Sequence, residues 1–145
     1  MSANNKIVSI VEDELEITNP FHDALCKAVF GVSFIGFDDS FLALEHFKNN
    51  EQNYQLVIAD WKMPKLDGLE LLKRIKKLNP NVRSILTSAY EVENEPLFQI
   101  YMEEGIIDKF IQKPVTMNYL KIKSWQDVAK DVISVLNRHT IERDY

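Results

Sequence analysis

Short apolar runs alternate with amphipathic stretches along most of the chain, and this alternation predicts its secondary structure. Runs rich in β-branched side chains are typical of buried strands, whereas apolar residues that recur every three or four positions are typical of helices with one buried face. Strands are predicted at residues 6–11, 32–37, 56–59, 82–86 and 106–112, each followed by a helix. This order predicts an α/β, doubly wound fold, in which helices cover both faces of a five-stranded parallel sheet.

The first and last helices carry the clearest boundary signals. Apolar residues at positions 17, 21, 25 and 28 keep a helical spacing, but Pro20 interrupts the pattern and is unfavourable inside a helix. The first helix therefore either begins late, with Asn19 as its cap and Pro20 as its first residue, or is kinked at Pro20. Near the other end of the chain, Ser124 and Asp127 resemble a capping box, which predicts the start of the last helix.

The length and composition of the chain are those of one globular domain. Of its 145 residues, 46% are hydrophobic and 27% are charged, and we predict a single domain at residues 1–138 followed by a tail at 139–145. No apolar run approaches the roughly 20 residues of a membrane helix, and the polar start lacks a signal-peptide core, so no membrane contact is expected. The single cysteine suits a reducing cytoplasm.

The charge pattern does not favour a nucleic-acid partner. The net charge is −5, whereas nucleic-acid-binding domains are usually basic. The helix after Gly68 has cations at positions 73, 74, 76 and 77. We favour a solvated helix surface with its cations near the C-terminal end over a nucleic-acid patch, so no direct contact with nucleic acid is expected.

Carboxylates follow two of the predicted strands at the point where each strand ends. Glu12, Asp13 and Glu14 come directly after the first strand, and Asp60 ends the third. In open parallel sheets, ligands bind at the edge where the strands end. Adjacent carboxylates repel one another, and a divalent cation with oxygen ligands relieves that repulsion. The acidic run is therefore either a solvated turn or a cation site, and Asp60 is a candidate nucleophile, base or metal ligand.

The segment that begins at Asp60 resembles a known family. The pattern Asp60-x-x-Met63-Pro64-x-x-Asp67-Gly68 is similar to the phosphorylation loop of two-component response-regulator receiver domains, the CheY-like family. The resemblance implies the flavodoxin-like receiver fold over nearly the whole chain. It also implies that Asp60 is the residue that accepts a phosphoryl group.

The resemblance implies roles for residues elsewhere in the chain. Glu12 and Asp13 match the acidic pair that would hold Mg²⁺ together with Asp60 and the backbone carbonyl of Lys62, although Asp is more usual than Glu at the first position. Lys113 stands before a proline, as in the family, and would pair with Asp60 and then with the phosphoryl group. The Lys-Pro peptide bond is often cis in the family.

Two further elements match the conformational switch of the family. Ser88 lies 28 positions after Asp60 (88 − 60) and precedes a small residue, so it matches the hydroxyl that binds a phosphoryl oxygen. Thr87 is the alternative and would need a one-residue shift. Phe110, three residues before Lys113, matches the aromatic residue that changes rotamer when the hydroxyl moves.

These implied roles describe a stand-alone response regulator that assists its own phosphorylation and dephosphorylation but is not an enzyme for other substrates. A sensor histidine kinase or a phosphotransfer protein would supply the phosphoryl group, and an unidentified downstream protein would respond to the altered conformation. The output would pass through such a partner or through a homodimer formed by the last two helices and the fifth strand.

Three rival interpretations are open. A receiver-like binding module that works without phosphorylation is compatible with Glu12 and with the two competing hydroxyls. A phosphatase with an aspartyl nucleophile would usually need a second Asp shortly after the nucleophile, and Lys62 stands two residues after Asp60. A flavodoxin-like cofactor binder would need a phosphate loop rich in Gly or hydroxyl residues after the first strand, which the sequence lacks.

Overall fold

The computed structural model describes residues 6–92, 94–114, 116–117, 120–121 and 124–143. The strands of its central sheet are β1 (Lys6–Val11), β2 (Val32–Phe37), β3 (Tyr54–Asp60), β4 (Arg83–Ser88) and β5 (Lys109–Gln112). The helices are α1 (Leu15–Ala28), α2 (Ser40–Asn49), α3 (Gly68–Leu78), α4 (Pro96–Glu103) and α5 (Trp125–Arg143). All neighbouring strands of this sheet are parallel, and their order is β2-β1-β3-β4-β5.

Helices cover both faces of the sheet, so the predicted doubly wound α/β fold is confirmed. One core contains Phe47 of α2, Leu72 of α3 and Phe98 of α4. The other contains Leu25 of α1 and Val132 of α5. Each fully buried large apolar side chain contributes roughly 1.5–3 kcal/mol. These two cores therefore hold the strands, and the residues at their ends, in fixed positions.

The first helix begins at Leu15, which is earlier than the predicted late start after Asn19. The backbone N–H groups of Ile17 and Thr18 donate to the carbonyl oxygen of Glu14, at 3.0 and 3.1 Å, and so form the first turn before Pro20 is reached. The prediction of a late start at Asn19 is wrong, and Pro20 lies inside α1. Packing of Leu25 and its neighbours against the sheet outweighs the local cost of the proline.

The fifth strand begins at Lys109, so the predicted start at Ile106 is wrong. Asp108 explains the difference, because it ties this part of the chain to the start of β4. Its carboxylate accepts from the backbone N–H of Ser84 at 2.9 Å and from the ammonium of Lys76 at 2.8 Å. Together with the hydrogen bond from the backbone N–H of Asp108 to the carbonyl oxygen of Ser84, at 3.1 Å, these contacts hold the chain before Lys109 against the start of β4.

The start of α5 has the hydrogen bonds of the predicted capping box. The backbone N–H of Asp127 donates to Ser124 Oγ at 3.1 Å, and that of Ser124 donates to Asp127 Oδ2 at 3.3 Å. A short antiparallel pair, β6 (Thr116–Met117) and β7 (Leu120–Lys121), precedes this helix. The helical backbone of α5 runs to Arg143, into the segment predicted as a tail, and the boundary at residue 138 stays a prediction. None of the helices in the described part of the chain is long and apolar enough to span a membrane.

Candidate functional site

The site lies where the carboxyl ends of β1, β3, β4 and β5 meet at one edge of the sheet. The strands β1 and β3 are neighbours although β2 separates them in sequence, and such a reversal of strand order opens a crevice for ligands. Glu12 follows β1, and Asp60 is the last residue of β3. Lys113 follows β5, and its backbone N–H donates to the carbonyl oxygen of Ser88, the last residue of β4, at 2.8 Å.

A buried lysine joins two of the carboxylates. The ammonium of Lys113 donates to Glu12 Oε1 at 2.7 Å and lies 2.9 Å from Asp60 Oδ1. All three residues are buried, with exposed fractions of 7%, 3% and 6% respectively. Charged side chains are seldom buried so deeply unless they are paired. The ammonium and the two carboxylates therefore form one buried ionic unit.

Burial dominates the electrostatics of the two carboxyls. The pKa of Glu12 rises from its ordinary value of 4.5 to about 7, because burial outweighs the hydrogen bond from Lys113. Burial likewise raises the pKa of Asp60, although Lys113 opposes the change. Burial lowers the pKa of Lys113, but the hydrogen bonds to both carboxylates outweigh it and leave the value raised. The positive charge of one ammonium thus does not fully offset the negative charge of the acidic groups.

The acidic cluster fits a divalent cation. Glu12, Asp13 and Asp60 each offer a carboxylate oxygen, and the three oxygens lie within 4.8 Å of one another. Asp13 is exposed whereas the other two are buried, so the cluster opens to solvent on one side. Carboxylate oxygens open to water are the donor set that Mg²⁺ prefers in proteins. The residues present therefore have the chemistry that such an ion needs.

Lys62 and the loop after β3 stand beside this cluster. The side chain of Lys62 is exposed, and its ammonium lies over the ring of buried Trp61, 4.5 Å from the centroid. The Lys62 ammonium therefore forms a contact separate from the buried ionic unit. The candidate ligand in Lys62 is its backbone carbonyl.

Gly68 begins α3, and the structure gives a reason for glycine at this position that the residue pattern did not explain. Its backbone N–H donates to the carbonyl oxygen of Trp61 at 2.9 Å. A Cβ atom at this position would collide with the backbone carbonyl of Asp60. Asp67 caps the helix by accepting from the N–H of Glu70 at 2.9 Å. The Asp-Gly pair therefore lets α3 pack directly against the residue at the centre of the site.

The two candidate hydroxyls have different partners. Thr87 pairs in register with Asp60 across β3 and β4, and its hydroxyl donates to the carbonyl oxygen of Ala59 at 3.4 Å. The hydroxyl oxygen of Ser88 instead accepts from the backbone N–H of Tyr90 at 3.1 Å. Both side chains are buried. The Thr87 hydroxyl is thus engaged as a donor, whereas that of Ser88 is engaged as an acceptor.

Phe110 and the Lys-Pro bond complete the predicted elements. The half-buried ring of Phe110 packs edge-on against Phe98 of α4, with centroids 5.5 Å apart and planes at 78°. The described residues contain no cis peptide bond, so the bond between Lys113 and Pro114 is trans. The fold thus brings Glu12, Asp13, Asp60 and Lys113 together, and places Ser88, Thr87 and Phe110 on the adjoining strands. The roles of these residues stay predictions.

Comparisons with known proteins agree with this arrangement. The family model for the response regulator receiver domain matches residues 8–123. The transcriptional regulatory protein FixJ of Bradyrhizobium diazoefficiens is 32% identical over 108 residues, which are 74% of this chain and 49% of FixJ. The chain spans 49% of FixJ, 18% of the cyclic di-GMP phosphodiesterase response regulator RpfG of Xanthomonas campestris and 45% of the response regulator RppA of Synechocystis.

Solved structures show the same fold. A response regulator receiver domain protein from Clostridium thermocellum has a TM-score of 0.75 and 25% identity, with 94% of this chain and 98% of that chain covered. A chain from the CheX–CheY–BeF3–Mg²⁺ complex of Borrelia burgdorferi has a TM-score of 0.72 and 27% identity, with 90% and 88% covered.

Proposed function

The chain belongs to the response regulator receiver domain family, and on this premise we propose that it accepts a phosphoryl group on Asp60 in a two-component phosphorelay. The observation that carries the proposal is the buried contact between Asp60 Oδ1 and the ammonium of Lys113, at 2.9 Å, beside the acidic cluster. A carboxylate at the open edge of the sheet is a nucleophile, and an ammonium next to it stabilises the charge of an incoming phosphoryl group.

The proposed transfer needs few protein groups. A carboxylate oxygen of Asp60 attacks phosphorus and forms an O–P bond, while the bond from phosphorus to the donor, a histidine nitrogen, breaks and leaves its electron pair on that nitrogen. Lys113 stabilises the equatorial phosphoryl oxygens during this displacement. Phosphoryl transfer depends mainly on positioning and charge neutralisation. Water later attacks phosphorus, the bond between phosphorus and the Asp60 oxygen breaks, and inorganic phosphate leaves the free carboxylate behind.

We propose Mg²⁺ as the cofactor, held by Glu12, Asp13, Asp60 and the backbone carbonyl of Lys62. The cation would supply positive charge to the phosphoryl oxygens. Support comes from the three carboxylate oxygens within 4.8 Å of one another and from the excess negative charge of the buried unit. The Borrelia burgdorferi complex contains Mg²⁺ and BeF3, and so supports the same ion.

We propose Ser88 as the hydroxyl that binds the phosphoryl group, with Thr87 as the alternative. The Ser88 oxygen accepts from Tyr90, which leaves its proton available for a phosphoryl oxygen, whereas Thr87 already donates its proton to Ala59. Movement at the end of β4 would then alter the contact between Phe110 and α4. This coupling is the proposed switch between two conformations.

The partners follow from the proposed chemistry. A sensor histidine kinase or a phosphotransfer protein would donate the phosphoryl group in the cytoplasm, and a separate protein would recognise the switched conformation. The receiver chain in the Borrelia burgdorferi structure is crystallised with CheX, which supports recognition by another protein. Homodimerisation through α4, β5 and α5 is a second proposed consequence. In this proposal the chain is a phosphoacceptor that assists its own reactions and is not an enzyme for other substrates.

The test is intact mass after incubation with acetyl phosphate and Mg²⁺, for the parent protein and for Asp60→Asn. The proposal predicts that the parent alone gains one phosphoryl group and that a chelator abolishes the gain. A folded parent that binds Mg²⁺ but gains no phosphoryl group would contradict it and would favour the phosphorylation-independent binding module.

A further inference from the structure

We infer that Glu12 is a positioning residue for Lys113, and that the length of its side chain holds the ammonium against Asp60. This inference rests on the proposed function of Asp60. It assigns Glu12 a task that a shorter carboxylate at the same position would not perform.

The contacts of Glu12 support this task. Its Oε1 atom accepts from the Lys113 ammonium at 2.7 Å, which is shorter than the 2.9 Å between that ammonium and Asp60. Its Oε2 atom accepts from the backbone N–H of Glu14 at 3.3 Å. Both oxygens of Glu12 are therefore anchored inside the protein, and the carboxylate is a fixed support rather than a mobile surface group.

The contact of Lys113 with Asp60 shows what the Glu12 carboxylate does for the ammonium. A lysine side chain is long and flexible, and two hydrogen bonds at different angles restrain its ammonium more than one does. Glu12 follows β1 and Asp60 ends the neighbouring strand β3, and Lys113 reaches both across the sheet edge. The ammonium is therefore held at Asp60 before any phosphoryl group arrives.

Side-chain length decides whether this support survives substitution. Asp at position 12 would withdraw the carboxylate by up to about 1.5 Å, the length of one C–C bond. The contact with Lys113 would then lengthen from 2.7 Å to as much as about 4.2 Å, which is beyond hydrogen-bonding distance. Gln keeps the length and offers an amide oxygen as acceptor, although it removes the charge.

The test compares these two substitutions by NMR of the Lys113 ammonium in protein without added cation, assigned with Lys113→Arg. We expect a resolved, slowly exchanging ammonium signal in the parent and in Glu12→Gln, and its loss in Glu12→Asp. Glu14→Gln is the matched control, because the hydrogen bond from Glu14 to Glu12 comes from its backbone N–H, and it keeps the signal. The opposite pattern, with the signal kept by Asp and lost by Gln, would show that charge alone matters and would overturn the inference.

A second measurement links the position of Lys113 to the reaction. At saturating acetyl phosphate and Mg²⁺, we expect Glu12→Asp to accept the phosphoryl group roughly tenfold more slowly than the parent, since ångström-scale displacement of a positioned group can cost up to about 100-fold. If the parent gains a phosphoryl group and Glu12→Asp matches its rate, the inference fails while the proposed function stands. If the parent gains none, the proposed function fails, and the NMR comparison still decides the contact.

Should Glu12→Asp not fold, Glu12→Ala replaces it in both measurements. It removes the acceptor altogether, so the inference requires it to lose the signal that Glu12→Gln keeps. Retention of a slowly exchanging Lys113 ammonium in Glu12→Ala would overturn the inference.

Discussion

The stability of the cation-free protein is predicted to fall as pH rises from 5 to 8, and Glu12 is the main reason. Its pKa is about 7 in the folded chain and 4.5 without burial. The folded state therefore binds more protons than the unfolded state between these values, and stability decreases with pH across that interval. At about 1.4 kcal/mol per pH unit, the difference corresponds to roughly 3 kcal/mol. Asp60, whose pKa is also raised by burial, adds to the decrease.

Glu12→Gln isolates the contribution of Glu12, because its neutral amide resembles the protonated carboxyl in size and shape. Urea unfolding of both proteins, at several pH values between 5 and 8 with a chelator present, gives the free energy of unfolding as a function of pH. We expect the parent to lose about 3 kcal/mol more than Glu12→Gln over this range. Parallel profiles for the two proteins would refute the assignment of a raised pKa to Glu12.

Three further predictions concern stability. Gly68→Ala should cost at least about 2 kcal/mol in urea unfolding, because the new Cβ collides with the backbone carbonyl of Asp60, and an unchanged midpoint would count against the close approach. Lys113→Ala should lower the free energy of unfolding by about 3 kcal/mol at pH 8 without cation, since it leaves the carboxylates of Glu12 and Asp60 buried without their ammonium. The loss should be smaller at pH 5, and an equal loss at both pH values would argue against this cause. Asp108→Asn should cost about 1–3 kcal/mol by weakening the tie between β5 and the start of β4, and thermal unfolding indistinguishable from that of the parent would contradict it.

Much of the fold and several site positions were accessible from local patterns. The apolar run before Asp60 and the β-branched run before Glu12 each predict a strand whose end lies in a known direction, and parallel pairing then brings those ends to one edge. The capping pair Ser124 and Asp127 is similarly local, and its reciprocal hydrogen bonds are confirmed.

Features that depend on tertiary contacts were not accessible in the same way. The hydrogen bond between Glu12 and Lys113 joins residues 101 positions apart, and no local pattern encodes its length. The start of β5 depends on the contacts that Asp108 makes with Ser84 and Lys76. The local pattern allowed Pro20 either as the first residue of a late helix or inside a kinked one, and packing of α1 on the sheet keeps it inside.

The proposed function requires Asp60 to carry an acyl phosphate. Borohydride reduces an acyl phosphate to an alcohol and leaves phosphate esters of hydroxyl groups intact, so it distinguishes Asp60 from Ser88 and Thr87. The direct measurement is peptide mass mapping after incubation with acetyl phosphate and Mg²⁺ and then reduction with borohydride. We expect homoserine at position 60 and no other reduced residue. A reduced residue elsewhere, or a stable phosphate on Ser88 or Thr87 with position 60 unchanged, would contradict it.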